Sequence, residues 1–190
     1  MSIRRFIASL FGGGRKEAAP APSTPSPEEE MMAGLRTMML TIPASTVGVE
    51  PSETHPKIFG IVMDVPISGG HTASVIALPD GNASLYTTST FGILGGIDHE
   101  SVRTASKEFV KLGQSYFDGA DATTDFPFPK SGHVRFYLRG FEGVRVIDAE
   151  IDSIQSVADK HQALWVAGQQ VLTELRLVVQ KGEVRDLRRT

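Results

Sequence analysis

Apolar positions along this chain repeat with two periods, and the switches between them mark out its elements. Residues 2–11 place Ile3, Phe6, Ile7, Leu10 and Phe11 at i, i+3, i+4, i+7 and i+8, one face of an α-helix. Ser2 can cap its start, and Gly12-Gly13-Gly14 ends it. A second helix start is written in Ser26-Pro27-Glu28-Glu29. Ser26 can accept from the N3 amide, Pro27 suits N1, and Glu29 can reach back to close a capping box. Met31, Met32, Leu35, Met38 and Met39 follow at helical spacing, and the helix should stop before Pro43. Such a stripe is expected to face a core, although methionines can also line an adaptable binding groove.

The period then shortens. After a loop at residues 44–56, Ile58 to Val65 is a nearly continuous apolar run with Asp64 as its one charge, which fits a central strand. Ser68-Gly69-Gly70 turns the chain into a second strand, Ala73 to Leu78, and Pro79-Asp80-Gly81-Asn82 composes a hairpin turn. Ala83 to Thr90 is a third strand, more polar and therefore placed nearer an edge. Asp98 is expected to cap a helix from His99 to about Leu112, whose apolar set is Val102, Ala105, Phe109 and Leu112. Beyond a polar loop, Asp118 to Lys130, the residues Val134, Phe136 and Leu138 alternate with Arg135, Tyr137 and Arg139, as in a half-buried strand. Phe141-Glu142-Gly143 turns into a strand from Val144 to Ile151. A last helix is expected from about Ala158 to Gln180 on Leu164, Val171, Leu172, Leu175 and Val178, with Gly182 as its stop.

The order α-β-β-β-α-β-β-α with hairpin-length links predicts an α+β fold. Its sheet should be mainly antiparallel, with about five strands and three helices, in a single globular domain over residues 27–190. At the level of element order this resembles profilin-like and roadblock-type domains, which are mostly scaffolds, and fold does not fix function. Ser84-Leu85-Tyr86, through the glycines, to His99-Glu100-Ser101-Val102-Arg103 resembles a segment of an uncharacterised bacterial domain family. The resemblance covers about 20 residues and implies no activity.

Composition changes this picture at two points. The 190 residues include no cysteine, which removes disulfides, thiolate chemistry and cysteine-ligated zinc. The net charge of −3 offers nucleic acid no general attraction, so a nucleic-acid partner is not expected. That charge is unevenly placed. Residues 1–16 carry Arg4, Arg5, Arg15 and Lys16 with no acid, and residues 17–30 carry Glu17, Glu28, Glu29 and Glu30 with no base. Pro20, Pro22, Pro25 and Pro27 stand among Ala, Ser and Thr, so residues 12–26 read as a flexible Gly/Pro-rich linker.

An apolar hook, a linker and a domain make a tether. The hook at residues 1–11 is too short to be a stable helix alone in water. A bilayer interface would take Ile3, Phe6, Ile7, Leu10 and Phe11 below and attract Arg4 and Arg5 to anionic lipid. A groove on a partner protein would read the same anchors, and packing on its own domain or disorder are the remaining readings. Arg4-Arg5 before an apolar stretch also invites comparison with an export signal. The stretch has only six residues, below the roughly 7–15 of a signal core, so a cytoplasmic protein is expected instead, with peripheral membrane association following only from the bilayer reading of the leader.

Four places could carry chemistry. Phe91 to Asp98 joins a strand to a helix, and Gly92, Gly95, Gly96, Asp98 and His99 could bind an anion or small ligand there. Neither the P-loop nor the Gly-x-Gly-x-x-Gly spacing is present, and a turn built on positive-φ glycines explains the same residues. The five histidines are scattered without a metal-binding spacing, and no nucleophile elbow occurs. Asp118, Asp121 and Asp125 lack the calcium-loop pattern. Arg135, Tyr137 and Arg139, with Arg145 across the hairpin, could form a surface patch for RNA or a carboxylate, but Glu142, Asp148 and Glu150 would neutralise much of it. No catalytic residue, cofactor or metal is therefore expected. The sequence reads as a non-enzymatic adaptor or scaffold docked through its leader, with homodimerisation open. A ligand-binding or enzymatic domain using the Gly92–Asp98 loop is the alternative.

Overall fold

A computed structural model describes residues 26–89, 92–94 and 96–181. The expected leader, most of the linker, and the stop at Gly182 lie outside them. Helix α1 spans Pro27–Thr41 and starts as its sequence dictates. The Glu29 amide donates to the Ser26 hydroxyl at 3.2 Å, and the Ser26 amide donates to the Glu29 carboxylate at 2.7 Å. Pro43 follows shortly after its end.

Seven strands follow in one sheet: β1 Ile58–Pro66, β2 Thr72–Ala77, β3 Ala83–Thr87, β4 Gly92–Ile93, β5 Asp121–Thr123, β6 His133–Gly140 and β7 Gly143–Glu150. Their spatial order is β4-β3-β2-β1-β6-β7-β5, and every pairing among the described residues is antiparallel. The α+β class and the antiparallel sheet are as expected. The sheet is wider by β4 and β5, pieces of two and three residues that are too short to show a period. The long strand β1 is central, and β3 lies one place from the edge.

Helix α2 spans Glu100–Gly113, α3 is a single turn at Ile151–Ile154, and α4 spans Gln162–Gln180. The last helix starts four residues later than expected, after a run of turns. Asp98 is not the cap of α2. It lies in a short 3₁₀ turn, Gly96–Asp98, and His99 takes the cap position with extended backbone and no side-chain cap bond.

Alternation along β1 sends its residues to two different cores. Ile61, Met63 and Val65 face α2 and α4, where Phe109, Phe136, Trp165, Leu172 and Leu175 fill the larger cluster. Val62 faces the other way with Ile76, Tyr86 and Tyr137, and α1 closes that side with Met32 and Leu40. Both faces of the central strands are thus covered. The expectation that β6 would be half-buried fails for this reason: Tyr137 and Arg139, on its supposed solvent face, are 0% and 1% exposed. Within α1 the buried line is Met32, Arg36 and Leu40, while Met31 and Met38 are half exposed. Among the described residues no helix is long and apolar enough to cross a membrane.

Candidate functional site

Two places gather the groups from which function could be built: a polar seam under α1, and a groove between α2 and α4. The seam starts from a conflict in sequence. Arg36 stands in the middle of a buried helix face and Asp64 in the middle of a buried strand, so each charge must find a partner inside. They find each other. The Arg36 Nε donates to both Asp64 oxygens at 3.2 and 3.0 Å, its Nη2 donates to Oδ2, and the Ser74 hydroxyl donates to Oδ1 at 2.5 Å. The guanidinium lies 4.2 Å from the Phe128 ring centroid and 5.6 Å from that of Tyr137. Burial pushes the Asp64 carboxyl above the ordinary aspartate value, against the pull of the Arg36 and Ser74 bonds. The Tyr137 hydroxyl donates to the Pro127 carbonyl at 2.5 Å, which pins residues 126–128 over the pair.

Arg139 extends the seam to the end of α1. Its Nη2 donates to the carbonyl of Ile42, the C-cap residue, at a helix end with no basic residue in its own last turn. A cation there offsets the partial negative charge of the terminal carbonyls. The guanidinium lies 4.3 Å from the Phe59 ring centroid, and its Nε and Nη1 have no hydrogen-bond partner among the described residues. Burial lowers its pKa to about 10, so it stays charged at neutral pH. Every strong polar group of the seam is engaged with the fold or walled in by it. The seam fastens α1 to the sheet.

The groove is the converse. Gly96, just ahead of α2, lies against Leu175 near the end of α4, and Phe109 lies against Gly168 midway, so the two helices run antiparallel. Between them opens a cleft of about 720 Å³. Ala105 of α2 and Ala163, Val166 and Ala167 of α4 supply its apolar lining, and small side chains leave it open. Ser101, Thr104, Gln162 and Gln170 are neutral polar lining, and Glu108 and Glu174 are its charged residues. Val166 is 51% exposed, the most exposed large apolar side chain within any described helix.

The residues singled out from sequence are dispersed. Gly92 lies in β4, where Tyr86 is its register partner, and Gly96 is buried. A Cβ on Gly96 would come 2.6 Å from Val102 Cγ1 and 3.0 Å from Leu175 Cδ2, so close packing accounts for this glycine. Asp98 is exposed and His99 half-buried, and Gly95 lies outside the described residues. The surface patch does not form as drawn. Besides the burial of Tyr137 and Arg139, Arg135 is paired to Asp148 at 2.6 Å and donates to the Pro127 carbonyl at 3.0 Å. Arg145 donates to the Ala120 carbonyl at 3.0 Å and lies over Phe117. Of the acidic loop, Asp118 pairs with Lys57, and no group of three or more acids and histidines suited to a metal occurs among the described residues. The leader residues Ile3, Arg4, Arg5, Phe6, Ile7, Leu10 and Phe11 lie outside the described residues. No family model, curated protein or solved structure matches this chain.

Proposed function

We propose that this chain is a non-enzymatic adaptor or scaffold, docked through residues 2–11 onto an anionic membrane surface. The observation that supports it is the division of labour in the fold. The charged side chains with the most potential for chemistry, Arg36, Asp64 and Arg139, are committed to holding α1 on the sheet. Their use in the fold supports a reading of the domain as one that presents surfaces. The alternative, a ligand site in the Gly92–Asp98 loop, loses its main support because Gly96 is needed to let Val102 and Leu175 close.

The leader supplies what a docked scaffold requires. Its five apolar anchors fall on one helical face, Arg4 and Arg5 stand near its start, and Arg15 and Lys16 follow it in the linker. Flotation of the full chain with anionic and with neutral vesicles tests this. The full chain should float with anionic vesicles only, and Phe6→Asp combined with Leu10→Asp should abolish flotation. Flotation that survives the double substitution would exclude the leader as the anchor.

A further inference from the structure

The α2–α4 groove and the leader are complementary in three respects. The first is length. Groove residues on α4 run from Gln162 to Glu174, roughly 18 Å of helix at 1.5 Å per residue, and residues 2–11 as a helix would span about 15 Å. The second is polarity. An open cleft lined by alanines and Val166 can accept bulky side chains, and Phe6, Leu10 and Phe11 are bulky side chains on one predicted face. The third is charge. Because the helices are antiparallel, Glu108 and Glu174 stand at opposite ends of the groove. Arg4 and Arg5 stand near the start of the leader, and Arg15 and Lys16 lie beyond its end, in the linker. An acid–apolar–acid cleft faces a base–apolar–base segment.

We infer that this groove seats residues 2–11 of the same chain when they are not docked elsewhere. The inference rests on the reading of the leader as the docking element and adds the surface that competes for it. Reach does not limit it. The leader and α1 are separated by residues 12–26, up to about 50 Å at full extension. α1 and α4 both contact β3, one place from the sheet edge, so the path from one face to the other rounds only β4, at about 5 Å per strand, and stays within that reach. In this arrangement the apolar anchors are shielded by the domain until an anionic surface offers them a better site, so groove and membrane draw on the same residues.

Amide hydrogen exchange on the full chain, at a concentration where it is monomeric, tests the seating. Residues 3–11 should exchange at least about tenfold more slowly than an unprotected segment. Val166→Asp, at an exposed position, should remove that protection while leaving exchange in the buried part of α4 unchanged. Glu108→Lys with Glu174→Lys should weaken it independently, which keeps the test decisive should the first variant fold poorly. Protection that is independent of protein concentration supports seating within one chain. Protection that grows with concentration overturns it in favour of a second copy. A leader exchanging at the unprotected rate, or protection that survives both sets of substitutions, overturns the groove as the seat. Flotation of the same samples separates the two claims. Both groove variants should float at least as well as the wild type, whereas a leader that is unprotected in solution but still floats defeats the seating and leaves the docking intact.

Discussion

Asp64 and Arg36 show how one residue pair decides the fate of a whole helix. Truncating Asp64 to Ala would leave the Arg36 guanidinium buried without its counter-charge, a change expected to cost about 3–5 kcal/mol in urea unfolding. Replacing both, Asp64→Leu with Arg36→Met, should recover most of that loss, since neither charge then needs desolvation. Additive losses in the double variant would mean that the two act apart. A second pair gives a pH signature. Burial pushes the Asp148 carboxyl up, but the bonds from Arg135 and His133 outweigh it, so its pKa lies below the ordinary value of 3.8. A depressed carboxylate contributes stability above that value and loses it as pH falls through the folded-state pKa. Asp148→Asn should therefore lower the unfolding midpoint near pH 6, with the gap to wild type narrowing below pH 4. A gap that is constant with pH would contradict the pairing. The Arg36–Asp64 contact left a trace in sequence. Arg36 sits at i+4 between Met32 and Leu40, and Asp64 is the lone charge in β1. Two charges inside two apolar faces are a reason to pair them. Periodicity gave no sign that α1 would cover the β6 face, and this is why Tyr137 and Arg139 read as exposed.

Elements were legible in proportion to their length. The capping box of α1, the continuous run of β1 and the Pro79–Asn82 turn all carry local signals that packing had no cause to override. In that turn the Asn82 amide donates to the Asp80 carboxylate at 2.8 Å, and Gly81 takes φ 99°, a left-handed conformation that favours glycine. β4 and β5 exist because a neighbouring strand edge was available, not because of their own residues. The glycine-rich entry to α2 is the element most open to misreading, since room for a ligand and room for a neighbour ask for the same residue. Gly96→Ala separates the two. Packing predicts a loss of about 1–3 kcal/mol, seen as a melting temperature lower by about 2–4 °C per kcal/mol. An unchanged melting temperature would return the loop to the list of ligand sites.

For the whole molecule, the proposed function assigns docking to residues 2–11 and leaves residues 26–181 to present surfaces. The sheet with helices on both faces encloses Arg36, Asp64 and Arg139, and residues 1–16 carry bases, no acid and a run of apolar anchors. The candidate groove could not be seen in sequence, because Ala105 and Ala163 are ordinary helix residues until α2 and α4 are laid side by side. The apolar period of residues 2–11 and the bases of residues 1–16 are local features of the sequence, which is why a docking reading could be framed from them. The most direct test of docking is the partitioning of the full chain onto anionic vesicles as a function of salt, beside Arg4→Gln with Arg5→Gln. With about 1 kcal/mol from each arginine near the surface, the double variant should bind roughly thirtyfold more weakly at low salt, and the difference should shrink as salt rises. Equal partitioning of the two proteins at low salt, or binding to neutral vesicles as strong as to anionic ones, would contradict a membrane-docked adaptor.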